Sequence, residues 1–179
     1  FQSEYLFTLL PELVVLITAS VVLVVDLYLR DDQKQANHTL TVLGLLITLG
    51  AIGLVGGSDV TTAFGGMYIR DPMSDLLKGA VVLVTLLTFI YSSNYMRDRK
   101  LWVGEYHVLI LFALLGMLIM ISANGFLTLY LGLELLALCL YALVAFDRDS
   151  KGGAEAAMKY FVLGALGSGM LLYGISMLY

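Results

Sequence analysis

Glu134 lies inside GFLTLYLGLELLALCLYALVAF, a run with no other charge that is long enough to cross a bilayer. On translocon scales an acidic residue at a helix centre costs about 2.5 to 3.5 kcal/mol, so such residues mark proton, ion or substrate paths far more often than plain structure. Helical spacing puts Tyr130, Glu134, Leu138 and Tyr141 on one face, which turns two phenols towards the carboxylate. In an apolar medium a carboxylic acid prefers to stay neutral, and an approaching cation reverses that preference. A positive partner that comes and goes would therefore load and unload a proton. The structural alternative is a protonated Glu134 that only bridges helices through a hydrogen bond.

Lys159 is the second candidate, in GGAEAAMKYFVLGALGSGMLLYG, with Glu155 four residues before it on the same helical face. At 1.5 Å per residue, Glu134 lies roughly 18 Å from the inner end of its helix and Lys159 only about 7 Å from the inner start of its own. A direct ion pair between them is disfavoured by that difference in depth. Three readings stay open for Lys159: snorkelling to the interface, pairing with Glu155, or a buried role bridged to Glu134 by water or a further side chain.

The remaining charges read as helix borders. Asp26 precedes Arg30 by four, as in a surface pair, and Glu12 follows Pro11 in an opening helical turn. Asp71 can cap a helix whose first residue is Pro72, and Asp75 can pair with Lys78. Lys78 itself is expected to snorkel to the outer border, with a place on a polar axis as the alternative. His38 and His107 flank helices without metal-ligand spacing and take no ligand role.

The elements that hold these residues follow from composition. Of 179 residues, 60% are hydrophobic and 13% charged, and the mean hydropathy is +0.91, values that belong to a polytopic membrane protein. Apolar runs alternate with short polar loops, giving an all-α transmembrane bundle of about six helices near 11–29, 39–56, 73–95, 106–123, 126–146 and 154–178. Lipid-facing barrel strands are excluded, because the runs lack strict alternation and are about twice the length that one needs. FQSEYLF has no basic n-region, so the first helix is read as retained. Arg30, Lys34, Arg97, Arg99, Lys100, Arg148 and Lys151 fall in alternate loops, while the others hold only Arg70. Basic residues stay on the cytoplasmic side, so the N-terminus and the loops at Asp59 and Asn124 are expected outside.

Several function classes drop out. The net charge of −4 is spread over short loops and offers no basic stripe for nucleic acid. The single cysteine, Cys139, sits in an apolar run and reads as a small buried hydrophobe. GALGSG follows no strand and is not a nucleotide loop. Instead Gly164 with Ser168, and Ala165 with Gly169, have the small-xxx-small spacing that lets helices approach. The chain opens on Phe and closes on an apolar helix, as a fragment would.

From about Glu105 to Tyr179, ANGFLTLYLGLELLALCLYALVAF and EAAMKYFVLGALGSGMLLYG resemble subunit N of bacterial NADH-quinone oxidoreductase, respiratory complex I; LLPELVVLITASVVLVVDL and FGGMYIRDPMSDLLKGAVVL fit the same family less distinctively. The resemblance implies an antiporter-like membrane subunit of about fourteen helices built from two inverted repeats with broken helices. Residues 1–179 would be the N-terminal part of that domain. It further implies proton translocation in the bacterial inner (plasma) membrane, other membrane subunits and lipid as partners, and no cofactor in this chain, with NADH, flavin, iron-sulfur clusters and quinone on other subunits. The acidic residue of the fifth helix and the lysine of the sixth, members of the family's central polar axis, match Glu134 and Lys159. Alternatives are a monovalent cation/proton antiporter or membrane-bound hydrogenase subunit of the same fold, or a structural membrane module that moves nothing.

Overall fold

The computed structural model describes residues 7–29, 35–57, 60–98, 104–147 and 151–178. Six helices are long and apolar enough to span a membrane. They are α1 (Leu10–Tyr28), α2 (Gln35–Val55), α3 (Pro72–Asp98), α4 (Gly104–Ile121), α5 (Phe126–Val144) and α6 (Lys151–Leu178). All six coincide with the runs read from hydropathy. Their ends obey local chemistry where the sequence supplies it. Pro11 and Glu12 stand in the first turn of α1, and Pro72 opens α3 behind an Asp71 cap. The Ser74 backbone N–H donates to Asp71 Oδ1 at 2.7 Å, and the Ser74 hydroxyl bonds back to the Asp71 backbone. These bonds hold the Asp71 carboxyl below the usual carboxylate range.

Packing is centred on α4. More than half of its spanning window, 56%, is buried, against 6% for α6, so α4 is an interior helix and α6 an outer one. It packs on α1 on one side and α5 on the other, and α6 reaches the bundle through α5. Val15, Leu45, Phe89, Leu111, Leu114 and Leu118 form the shared core. The closest helix crossing is α4 on α5, where glycines meet. A Cβ on Gly116 would stand 2.7 Å from the Gly132 carbonyl oxygen, and one on Gly132 would stand 2.8 Å from that of Gly116. Only glycine admits such backbone contact. The small residues of α6 behave differently from expectation: Gly164 lies against the Tyr141 ring, but Ala165 and Gly169 face outward, and nothing approaches Gly169.

One element departs from the hydropathy reading. Between α2 and α3 the chain forms an antiparallel hairpin, β1 (Thr61–Ala63) and β2 (Tyr68–Arg70), in the register Thr61↔Arg70 and Ala63↔Tyr68. Phe64, Gly65 and Gly66 take positive φ in its turn, at 53°, 65° and 90°. Two glycines make that path accessible. Hydropathy missed the hairpin because its strands are too short and too mixed to register as an apolar run. The β-branched and aromatic residues of TTAFGGMYIR around a Gly-Gly pair were the available signal.

The outer edge of β2 is also paired. Tyr68 forms a bridge with Ala123, the Ile69 N–H donates to the Ser122 carbonyl at 2.9 Å, and the Asn124 N–H donates to Met67 at 3.0 Å. The hairpin is thereby tied to the turn from which α5 begins. Arg70 secures its base, bonding both carboxylate oxygens of Asp75 on α3 and the Val55 carbonyl at the end of α2.

Candidate functional site

Glu134 stands two turns into α5, between Gly132 and Leu136, where α5 touches α4 most closely. The crossing fixes the height and rotation of the carboxylate. Its Oε2 is buried and has no hydrogen-bond partner among the described residues. An unsatisfied carboxylate oxygen in an apolar bundle is costly unless it is protonated or meets water. Tyr141, on the face of α5 that it shares with Glu134, packs its ring on Tyr160 and Phe161 of α6, at 5.3 and 5.4 Å between centroids. Cys139, one turn further along α5 from Glu134, is buried, as its composition context predicts.

Lys159 and Glu134 are not brought together by an ion pair. Lys159 Nζ bonds Glu155 Oε1 at 2.6 Å along α6, with both side chains about 70% exposed (71% and 68%). Of the three readings left open for Lys159, pairing with Glu155 is the one observed. The pair lies on the outward face of α6, beside an open apolar groove lined by Ala154, Met158, Val162 and Leu163.

The strongest ionic constellation lies elsewhere. Lys78, expected to snorkel, is wholly enclosed, and its Nζ sits 2.7 Å from Oε1 of Glu12, which is 4% exposed. Tyr68 completes the group: its hydroxyl accepts from Lys78 Nζ at 2.8 Å and donates to Glu12 Oε1 at 2.8 Å. Burial, reinforced by the negative charge of Glu12, pushes the Tyr68 phenol well above its ordinary range and keeps it a donor. The Ser122 hydroxyl is buried and has no hydrogen-bond partner among the described residues. Oε2 of Glu12 is buried without a hydrogen-bond partner among the described residues.

Two readings are corrected by this arrangement. Asp75 pairs with Arg70 and not with Lys78, because Arg70 on β2 reaches it with two parallel bonds. Glu12 is more than a favourable charge at a helix start, since a lysine too deep to reach the border needs a counter-charge. The signal that could have found the pair was complementarity. Glu12 and Lys78 are opposite charges within the first two turns of two helices that begin at the same expected face.

At the opposite end, Asp26 accepts from Asn37 of α2 and lies against Gly104 of α4; its expected partner Arg30 falls outside the described residues. His107 is fully enclosed and stacks on Phe89 with centroids 5.3 Å apart, while His38 meets it edge-on at 6.0 Å. No cluster of three or more His, Cys, Asp or Glu suited to a metal occurs among the described residues.

Comparison with known proteins agrees with this architecture. Residues 123–179 match the family model described as NADH:quinone oxidoreductase/Mrp antiporter, TM. NADH-quinone oxidoreductase subunit N of Methylovorus glucosotrophus is 51% identical, over 99% of this chain and 37% of that protein. The subunit N of Thioalkalivibrio sulfidiphilus is 49% identical, over 100% and 37%. Among solved structures, a chain of respiratory complex I from Thermus thermophilus with bound aureothin superposes with a TM-score of 0.77 at 30% identity, over 94% of this chain and 36% of that one. A chain of the membrane-bound sulfane sulfur reductase, an archaeal respiratory membrane complex, reaches the same TM-score at 23% identity and so shares the fold. This chain spans little more than a third of the length of the relatives it matches. Six apolar helices, the glycine crossing that sets Glu134 and half-identity along the whole length point the same way: this chain is similar throughout to NADH-quinone oxidoreductase subunit N, over the part of that protein that it spans.

Proposed function

We propose that this chain is part of a proton-translocating membrane subunit of an NADH-quinone oxidoreductase, coupled to quinone reduction and embedded with other membrane subunits in the bacterial inner membrane. Glu134 takes up and releases the proton. The observation that carries this reading is the buried, unpartnered Oε2 of Glu134 in a membrane helix whose position is fixed by backbone contact. NADH, flavin, iron-sulfur and quinone chemistry belongs, on this reading, to other subunits. A cation/proton antiporter subunit is the second reading, favoured by the Mrp antiporter in the description of the matching family. Proton uptake driven by NADH in inverted vesicles separates the two, since an antiporter subunit would move protons only against a cation gradient.

Lys159 tunes Glu134 from α6 without touching it. A cation shifts the proton affinity of a carboxylate through the low-dielectric interior, and its pairing with Glu155 sets how much of its charge is available. Lys159→Met is expected to impair NADH-driven pumping severalfold in an assembled complex, and Lys159→Arg to keep part of it. Normal pumping by Lys159→Met would leave the Glu155 pair as surface chemistry alone.

The N-terminus faces outward in this reading, on the strength of the loop charges. With Cys139 removed, a cysteine near Asp59 is expected to react with an impermeant external thiol reagent in intact cells, and cysteines near Arg97 and Arg148 to be protected. The opposite labelling pattern would invert the orientation.

A further inference from the structure

We infer that Glu12, Lys78 and Tyr68 form a second proton-exchanging site of this chain, separate from Glu134 and resting on the proton-translocation reading above. The three side chains come from α1, α3 and the hairpin, and they make a closed ring of short contacts: Lys78 Nζ to Glu12 Oε1 at 2.7 Å, Lys78 Nζ to the Tyr68 hydroxyl at 2.8 Å, and that hydroxyl to Glu12 Oε1 at 2.8 Å. Such a ring can rearrange its protons without moving heavy atoms. As the Lys78 ammonium gives a proton to the Tyr68 oxygen, the Tyr68 hydroxyl gives its own to Glu12 Oε1. The products are a neutral amine, an intact phenol and a neutral carboxylic acid. No electrons move and the summed charge stays zero.

Glu12, Tyr68 and Lys78 are all buried, so bulk water does not compete for the bonds of the ring. A charge pair out of water gives up most of its mutual attraction to desolvation, so a neutral pair competes with it as it never does at a surface. Uptake of one proton from water at Glu12 Oε2 raises the summed charge to +1, and its return to water from the same oxygen restores zero. The ring therefore exchanges a proton at its carboxyl end. Oε2 is the free end: it is buried, it has no hydrogen-bond partner among the described residues, and a water is the kind of partner such an oxygen takes.

The surroundings hold the ring rather than compete with it. From the hairpin, Arg70 is occupied by Asp75 and the Val55 carbonyl. Just past α4, the Ser122 carbonyl accepts from the Ile69 N–H, next to Tyr68 in the strand. The titratable residue of α2, His38, and those of α4, Glu105, Tyr106 and His107, belong to the far ends of their helices. The position also fits an exchange role, because the strand that carries Tyr68 is bonded to residues 122–124, from which the Glu134 helix starts.

The test uses the full-length subunit in the assembled complex, with NADH-driven proton uptake by inverted vesicles normalised to complex. Glu12→Gln combined with Lys78→Met removes both charges and keeps the volume. A structural ion pair tolerates that double replacement, so a structural role predicts assembly and wild-type pumping, whereas a proton site predicts assembly with most of the pumping lost. Wild-type pumping by the double variant overturns the inference. Should the double variant not assemble, Tyr68→Phe decides: it keeps the ring packing and removes the bridging hydroxyl, and pumping is expected to fall clearly, with an unchanged rate overturning the inference. Glu134→Gln in the same vesicles separates the two readings. Normal pumping there overturns the translocation reading itself, while lost pumping there beside a normal Glu12/Lys78 double variant overturns only the second site.

Discussion

Glu134→Gln in the full-length subunit is expected to leave the complex assembled and to abolish most NADH-driven proton translocation, with Glu134→Asp keeping more than Gln. Gln preserves volume and hydrogen bonding but cannot ionise, so it isolates the proton from the packing. Packing at this position is set by Gly116 and Gly132, whose backbones touch on either side of the helix crossing, and neither is disturbed by the exchange. Asp retains the acid on a shorter arm, which misplaces it without silencing it. The measurement is proton uptake into inverted vesicles per assembled complex. Wild-type uptake by the Gln variant would leave Glu134 a hydrogen-bonding group in a membrane scaffold.

The second large effect is expected at Lys78. Lys78→Met alone strands the buried carboxylate of Glu12 without a counter-charge, and breaking one side of a buried pair typically costs about 3 to 5 kcal/mol. The variant should therefore lose thermal stability, read as the temperature at which the detergent-solubilised complex sheds this subunit. Adding Glu12→Gln should return most of that stability, since no unpaired charge is then left inside. An unchanged dissociation temperature in Lys78→Met would mean that the carboxylate is neutral in the native membrane, with no ion pair to break.

The helices were legible in the sequence because their signal is summed over some twenty residues each, and a bilayer-length run survives any local irregularity. The resemblance carried by ANGFLTLYLGLELLALCLYALVAF was legible for the same reason, being spread over many positions. What escaped were contacts between residues far apart in the chain. Glu12 carries a perfectly good local explanation as a charge in an opening turn, and Lys78 another as a snorkelling lysine, so neither called for the other. The pair exists only because α1 and α3 deliver their opening two turns to the same place and the hairpin closes over them. Lys159 shows the converse. Its local partner Glu155, four residues away, is the one the structure records, since i, i+4 spacing on one helix needs no tertiary information. The crossing of Gly116 with Gly132 was hidden because glycines in apolar runs look alike until a facing helix is known.

The hairpin has a consequence for how the protein is made. Its inner residue Tyr68 needs Glu12 and Lys78, yet its outer edge bonds to residues 122–124, which leave the ribosome only after two further helices have followed it. A nascent chain released after α3 would hold the paired charges beneath a strand with one edge unpaired, open to competing partners at the membrane surface. Arrival of α4 closes that edge and seats the start of α5 in the same event. A checkpoint in biogenesis is the expected result: the helix that bears Glu134 should take its position only once the hairpin edge is paired, and a ribosome stalled before Ser122 should leave a product that membrane proteases remove.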